Sequence, residues 1–338
     1  MSVFVIAEAG ANHNRNIEQA FALIDVAADA GADAVKFQTY SSETLYSKNT
    51  PGFAGHKDIN KLIKNSELPR EWQKELKQYC DQLGIEFMST PFDEAAVDEL
   101  VSLGVERLKI AGFESTDPRF VRMVASTGLP IIVSAGIGSN LNSIQNIIDW
   151  VSLEQTEPDI TVLHCNNAYP TPDCDINLNR IDKIKKTYPN LSVGLSDHTE
   201  GILAPSLAVA KGAMCIEKHY TISRLLPGPD HPFALEPNML RQMINNIRTT
   251  EEMCKDTEEM LTKSEKFFQN GMRSVVAKTK IKKGQIFTTD NVTTKRPFLF
   301  ESLHAENFFD LLGKKAVKEY EVDDFVGKEE VNIEVRRR

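Results

Sequence analysis

Short apolar runs recur along this chain at intervals that leave room for one helix between each pair. VFVIA (residues 3–7), AVKF (34–37) and PIIVS (130–134) carry apolar side chains on both faces, and residues 85–89, 107–110, 160–164, 192–195 and 214–218 repeat the theme. Runs of this length read as strands buried on both sides. The segments between them read as helices, clearest at residues 17–30, where Ala, Leu and Ile fall at helical spacing. Eight such strand–helix units predict a parallel (β/α)8 barrel, a fold of the α/β class. The runs end in polar residues: Glu8, Lys36 with Gln38, Thr90, Lys109, Ser134, Asn167, Ser196 with His198, and His219. Their starts carry almost none. Because the chemistry of such barrels sits at the C-terminal ends of the strands, the asymmetry predicts an enzyme.

Two segments depart from the repeat. Residues 41–68, broken by Pro51, Gly52 and Gly55, are too long for an ordinary βα connection and read as a loop-like insertion on the catalytic face, either a lid or a surface elaboration. A long helix over 237–261 is expected to end the barrel. After Ser264 the pattern changes to short β-branched runs separated by charged turns such as KKGQ and TTDN. Residues 1–265 therefore read as the catalytic barrel, and 266–338 as a linker and a small β-rich domain that starts at about Gly271. A domain that small buries a modest core and gains from docking on another surface. The terminal EVRRR reads as a solvated tail.

Composition narrows the picture. A chain of 338 residues, 41% of them hydrophobic, accommodates one barrel and a small domain. The apolar N-terminal run lacks a basic flank and is too short for a signal peptide, and no stretch approaches a membrane span. Five cysteines without CxxC spacing read as free thiols, so a reducing, cytoplasmic setting is expected. A net charge of −9 argues against a nucleic-acid partner and requires a local cationic cluster for any anionic substrate. Lys36 and Lys109 can form that cluster: lysines at the ends of apolar strands either meet an anion or snorkel to solvent. Thr90, Ser134 and Ser196 add hydroxyls at the same level, which describes a phosphate and carboxylate cradle. Neither GxGxxG nor GxxxxGK[ST] is present, so neither a dinucleotide nor a nucleoside triphosphate is suggested. His198 and His219, on adjacent strands, either hold a divalent cation in an open N/O site suited to Mn2+ or serve as hydrogen-bonding residues. Glu8 and Glu114 can position water, move a proton or pair with a lysine, and Asp230 in LLPGPDHPF is either a sugar ligand or a turn residue.

The ordered motifs IAEAGANHN, ADAVKFQT, FMSTPFD, LKIAGFE, HCNNAYPTP, VGLSDHT, EKHYT and PGPDH together resemble the sialic acid synthase family, the phosphoenolpyruvate-dependent nonulosonate synthases. RSVVAKTKIKKGQIF…NVTTKRP resembles the antifreeze-like (SAF) domain of that family, so the likeness covers almost the whole chain. It implies a carbon–carbon bond-forming transferase acting on phosphoenolpyruvate and an acylamino sugar, with a divalent metal, Mn2+ before Mg2+ or Co2+, held by His198 and His219. Lys36, Thr90, Lys109, Ser134, Asn167 and Ser196 would bind phosphoenolpyruvate. Gln38, Glu114, Tyr169 and Asp230 would face the sugar, and Glu8 would position the attacking water. Arg296 matches an arginine that reaches the partner subunit's site, which implies a domain-swapped homodimer. Gly112, Phe113, Asn166 and Phe298 depart from the sialic acid form, and Phe113 beside Glu114 implies a more apolar acceptor, a deoxy or diacetamido sugar. The alternatives are octulosonate- or heptulosonate-phosphate synthesis on the same barrel, or a non-catalytic glycan-binding protein.

Overall fold

In a computed structural model, which describes residues 2–51, 57–256 and 260–331, the chain divides into two compact units, Met1–Lys255 and Asp256–Arg338. The first contains eight strands: β1 (Phe4–Gly10), β2 (Ala34–Thr39), β3 (Glu86–Pro91), β4 (Leu108–Ile110), β5 (Ile131–Ala135), β6 (Ile160–Cys165), β7 (Ser192–Asp197) and β8 (Cys215–His219). They pair in the order β3-β2-β1-β8-β7-β6-β5-β4, each neighbour parallel to the next. β3 also packs against β4, which closes the sheet into the expected barrel. Helices cover its outside. The first, Ile17–Ala30, begins where the Asn16 side chain accepts a hydrogen bond from the Gln19 amide and ends at Gly31 in the left-handed conformation (φ 84°). It buries Ala20, Leu23, Ile24 and Ala27 against the sheet.

Alternation along the strands sorts the barrel interior into layers. Ile6, Ala34, Met88, Ile132, Leu163 and Cys215 form an apolar floor. Gly194 belongs to it because a Cβ there would lie 2.2 Å from the Cys215 carbonyl oxygen and 2.6 Å from Leu163 Cδ2. Two residues further along, the inward positions turn polar on six of the strands, with Glu8, Lys36, Thr90, Ser134, Ser196 and Glu217, while Cys165 follows Leu163 on β6. The site therefore rests on a dry, close-packed base.

Two expectations need correction. Residues 41–68 are not wholly loop-like: the helices Ser42–Leu45 and Ile59–Ser66 lie within them, capped by the Ser41 and Asp58 side chains, polar residues that initiate helices as readily as they make loops. Gly52 and Gly55 lie outside the described residues. The last barrel helix runs Pro237–Met253 and stops short of residue 261. Its buried stripe, Leu240, Met243, Ile244 and Ile247, has no apolar successor one turn on, where Thr250 and Glu251 stand; Glu251 accepts from the Val3 amide at 2.5 Å, and the helix ends two residues later.

The second unit has one two-stranded antiparallel sheet, β9 (Ser274–Ala277) with β10 (Val292–Lys295), extended by isolated bridges. Val275, Ile281, Phe287, Val292, Leu311, Tyr320 and Val326 form its core. EVRRR lies outside the described residues. Among the described residues no helix is long and apolar enough to cross a membrane.

Candidate active site

The C-terminal ends of the strands converge on a cavity that is open at its mouth. Eleven of the residues singled out from sequence line it: Glu8, Lys36, Gln38, Thr90, Lys109, Ser134, Asn167, Tyr169, Ser196, His198 and His219. Glu114 and Asp230 lie outside that lining. Glu114 sits on a short helical turn with Oε2 buried and unpartnered, and Asp230 lies 3.9 Å from His219 Nδ1. Arg296 belongs to the second unit, exposed just beyond β10.

The two lysines do not snorkel; each is 2% exposed. Lys36 Nζ contacts Glu8 Oε2 at 2.5 Å and donates to Thr90 Oγ1 at 2.8 Å. Lys109 Nζ donates to Ser134 Oγ at 2.8 Å and to the Ile110 carbonyl at 3.0 Å. Between them stands Glu217, which sequence reading missed. Its carboxylate lies 3.6 Å from Lys36 and 3.7 Å from Lys109, and accepts a hydrogen bond from Ser196 at 2.9 Å. The signal was available: Glu217 precedes His219 by two residues on one strand, and period-two alternation gives both the same face.

Burial sets the electrostatics. It opposes ionisation of Glu217, but Lys109 and Lys36 outweigh it and hold the carboxyl down to about 2. Glu8 goes the other way: burial, against the pull of Lys36 and reinforced by Glu217, pushes it up to about 7. For Lys36, burial favours the neutral amine, yet Glu217 and Glu8 raise its pKa above that of an ordinary lysine. One carboxylate thus stays firmly charged while its neighbour is poised near neutrality. Gln38 Nε2 donates to Glu8 Oε1 at 2.7 Å and fixes the orientation of the second.

The imidazoles of His198 and His219 lie 5.4 Å apart, centroid to centroid, under a collar formed by Tyr169 and Phe233. His198 Nδ1 is 2.7 Å from the Asn166 carbonyl, which can only accept, so Nδ1 carries the proton and the lone pair is on Nε2. His219 Nδ1 is buried without a hydrogen-bond partner. Burial lowers the pKa of both rings, that of His219 well below the usual value, which keeps them neutral. A fixed tautomer, a neutral pair and an orphaned ring nitrogen fit a divalent cation whose remaining positions are filled by oxygen donors. Among the described residues no group of three or more His, Cys, Asp or Glu side chains is arranged to hold a metal, so the fit is to an open two-imidazole site.

Glycines shape the rim. A Cβ on Gly136 would lie 2.0 Å from Asn167 Oδ1, and one on Gly112 3.0 Å from the same atom. Gly112, one of the departures from the sialic acid form, thus makes room for Asn167. Gly10 has φ 50°, and a Cβ there would meet Asp230 Oδ2 at 2.8 Å and His219 Cε1 at 3.3 Å.

A (β/α)8 barrel with buried cations and paired imidazoles at its catalytic mouth belongs to the barrel enzymes. The NeuB family model matches residues 23–259 and the SAF domain model residues 272–328. The chain belongs to the NeuB family. It is 38% identical to the N,N'-diacetyllegionaminic acid synthase of Campylobacter jejuni serotype O:2, over 95% of this chain and 98% of that one. It is 36% identical to a pseudaminic acid synthase of Campylobacter jejuni serotype O:23/36, over 95% and 94%. The solved N-acetylneuraminic acid (sialic acid) synthetase of Leptospira borgpetersenii, in complex with citrate, superposes with a TM-score of 0.73 at 34% identity, over 79% of this chain and 90% of that one.

Proposed function

We propose that this chain condenses phosphoenolpyruvate with the open-chain form of an acylamino sugar, N-acetylmannosamine-like or a diacetamido-trideoxyhexose, giving a nine-carbon 2-keto acid and inorganic phosphate. The observation that carries this reading is the pair of buried lysines, each hydrogen-bonded to a strand-end hydroxyl, beside two neutral imidazoles in one cavity. Lys36 and Lys109, with Thr90, Ser134, Asn167 and Ser196, hold the phosphate and carboxylate. Gln38, Glu114, Tyr169 and Asp230 face the acceptor. His198 and His219 would hold a divalent ion, Mn2+ before Mg2+ or Co2+, which would supply Lewis-acid polarisation of the sugar aldehyde. C3 of phosphoenolpyruvate bonds to the aldehyde carbon as its C=O π bond breaks, the oxygen takes a proton from solvent, and positive charge develops at C2. Water adds at C2 and gives its proton to Glu8, whose pKa near 7 suits it to accept one. The resulting tetrahedral carbon expels phosphate. Fixed lysine charges stabilise these anions by several kcal/mol in a water-poor site.

Among the described residues lining the cavity, Lys36 and Lys109 are the lysines, and none of the lining residues is an arginine. Both are engaged by the first substrate, which favours an unphosphorylated acceptor. The test is phosphate release from phosphoenolpyruvate with N-acetylmannosamine, two diacetamido-trideoxyhexoses and arabinose 5-phosphate. Phe113, half exposed beside Glu114, supports the more apolar acceptor. A diacetamido sugar is expected to exceed N-acetylmannosamine in kcat/KM by about 10–200-fold, the reach of an apolar contact. Equal or better use of N-acetylmannosamine would overturn that preference, and no release with any acceptor would overturn the reading itself.

The working unit in this reading is a homodimer in which Arg296 completes the partner's acceptor site. Arg296 is exposed, and its guanidinium makes no ion pair or hydrogen bond among the described residues, which supports a role outside its own unit. Arg296→Ala is expected to keep phosphoenolpyruvate binding and lose about ten- to a hundredfold in kcat/KM, the worth of one charge-assisted hydrogen bond. Mixed with His198→Ala chains it should regain activity, since one site of each hybrid is intact. Absence of recovery despite subunit exchange, followed by mass spectrometry, would mean that Arg296 does not act in trans.

A further inference from the structure

We propose that Asp197 and Lys218, a buried ion pair on the outward side of β7 and β8, are positioning residues that set the separation of His198 and His219. The proposal rests on the reading that the two histidines hold a divalent ion. Asp197 and Lys218 alternate with the inward residues Ser196, Glu217 and the histidines, and neither lines the cavity. Their side chains are almost fully buried, with Lys218 Nζ 2.6 Å from Asp197 Oδ2. Lys218 also donates to the Thr199 carbonyl at 2.5 Å, and Asp197 Oδ1 accepts from the Thr199 amide at 2.9 Å. Two charges removed from water in this way stabilise a fold poorly, so a gain in geometry is the stronger reason for them.

Register supplies that reason. The β7–β8 pairing runs Leu195↔Ile216, Ser196↔Glu217, Asp197↔Lys218 and stops there. His198 and His219 are the next residues on their strands, just beyond the last position of the β7–β8 ladder, although on its other side His219 is still in register with Glu8 of β1. His198 has further anchors: its ring bonds to the Asn166 carbonyl, and its own carbonyl accepts from the Thr171 amide at 2.8 Å. The ring of His219 lacks such an anchor: Nδ1 has no hydrogen-bond partner, Asp230 stands off at 3.9 Å, and the other neighbours are the rings of His198, Tyr169 and Phe233. Where the backbone ladder ends, the Asp197–Lys218–Thr199 link continues the clamp between the two strands. The His219 backbone is itself held by β1 and by the Leu235 amide, which donates to the His219 carbonyl at 3.0 Å, so what the link sets is the spacing of that backbone from the His198 side of the site.

The experiment is a Mn2+ titration of the full-length protein, with free Mn2+ read by electron paramagnetic resonance, alongside circular dichroism and phosphoenolpyruvate binding. Asp197→Asn/Lys218→Met removes both charges together, so that neither is left buried alone. It is expected to fold, to bind phosphoenolpyruvate within threefold of the unaltered protein, and to bind Mn2+ about 10–100-fold more weakly, as loss of outer-shell support does elsewhere. Should that variant fail to fold, Asp197→Asn/Lys218→Gln, which also removes both charges but retains hydrogen-bonding capacity on both sides, is expected to fold and to lose about tenfold in Mn2+ affinity. A folded variant that binds Mn2+ within twofold of the unaltered protein overturns the positioning role and leaves the metal reading standing. Absence of Mn2+ binding by the unaltered protein overturns both.

Discussion

His198→Ala and His219→Ala are each expected to remove turnover while leaving the barrel folded. The imidazoles sit at the cavity mouth above the polar layer, so neither contributes to the apolar floor formed by Ile6, Met88, Leu163 and their neighbours. Loss of His198 leaves the Asn166 carbonyl without its ring partner, and loss of His219 removes an aromatic contact with Phe233. Such losses cost about 1 kcal/mol each, well within the stability of a domain this size. The catalytic loss is much larger. A Lewis acid contributes several kcal/mol to a polarised carbonyl, and each 1.36 kcal/mol is a factor of ten in rate, so a fall of about a thousandfold or more is expected. Phosphate release measured on the alanine variants, with circular dichroism as the control for folding, checks it. Chelation of the unaltered protein should produce the same loss, and Mn2+ should restore it. Full activity in thoroughly metal-stripped protein would show that the imidazoles act without a metal.

The barrel and most of its mouth were legible because one physical rule governs both. A strand buried on two faces is written as an apolar run, and any polar residue that ends it needs a reason to be there. Lys36 and Lys109 were conspicuous for that reason, and the structure confirms their burial. Glu217 escaped because it lies inside CIEKH among other polar residues, where a rule about strand ends does not single it out. Reading that strand at period two separates Glu217 and His219, which face the cavity, from Lys218, which turns outward to Asp197. Caps account for the misread insertion, since Ser41 and Asp58 begin short helices with the same residue types that make turns. The fit of Asn167 against Gly112 and Gly136 was beyond sequence reading altogether. It depends on three separate βα connections meeting at one point of the rim.

Glu217→Gln is expected to lower thermal stability and to tighten binding of phosphoenolpyruvate, two effects of opposite sign with one cause. Glutamine preserves shape and can still accept the Ser196 hydrogen bond, so the change is essentially one of charge. Lys36 keeps Glu8 at 2.5 Å, but Lys109 is left with Ser134 and the Ile110 carbonyl, neither of them charged. Removing one member of a buried pair costs about 3–5 kcal/mol, and the 3.7 Å separation from Lys109 puts this case at the lower end. For a unit of this size that is a fall in Tm of roughly 6–12 °C. The anionic substrate reverses the balance. In the unaltered protein it must approach a carboxylate already seated between the two ammonium groups, and in the variant it supplies the missing counter-charge. A change of about 1.4 kcal/mol, tenfold in Kd, is expected from removing that repulsion. Saturating phosphoenolpyruvate should therefore raise the Tm of Glu217→Gln by more than it raises that of the unaltered protein, since the stabilisation grows with the ratio of ligand to Kd. Thermal melts across a phosphoenolpyruvate titration separate the two effects. If the Tm falls without a tighter Kd, Glu217 is a structural counter-ion remote from the bound anion. If the Tm holds and binding weakens, Glu217 orients the lysines toward the substrate, and its charge is needed there.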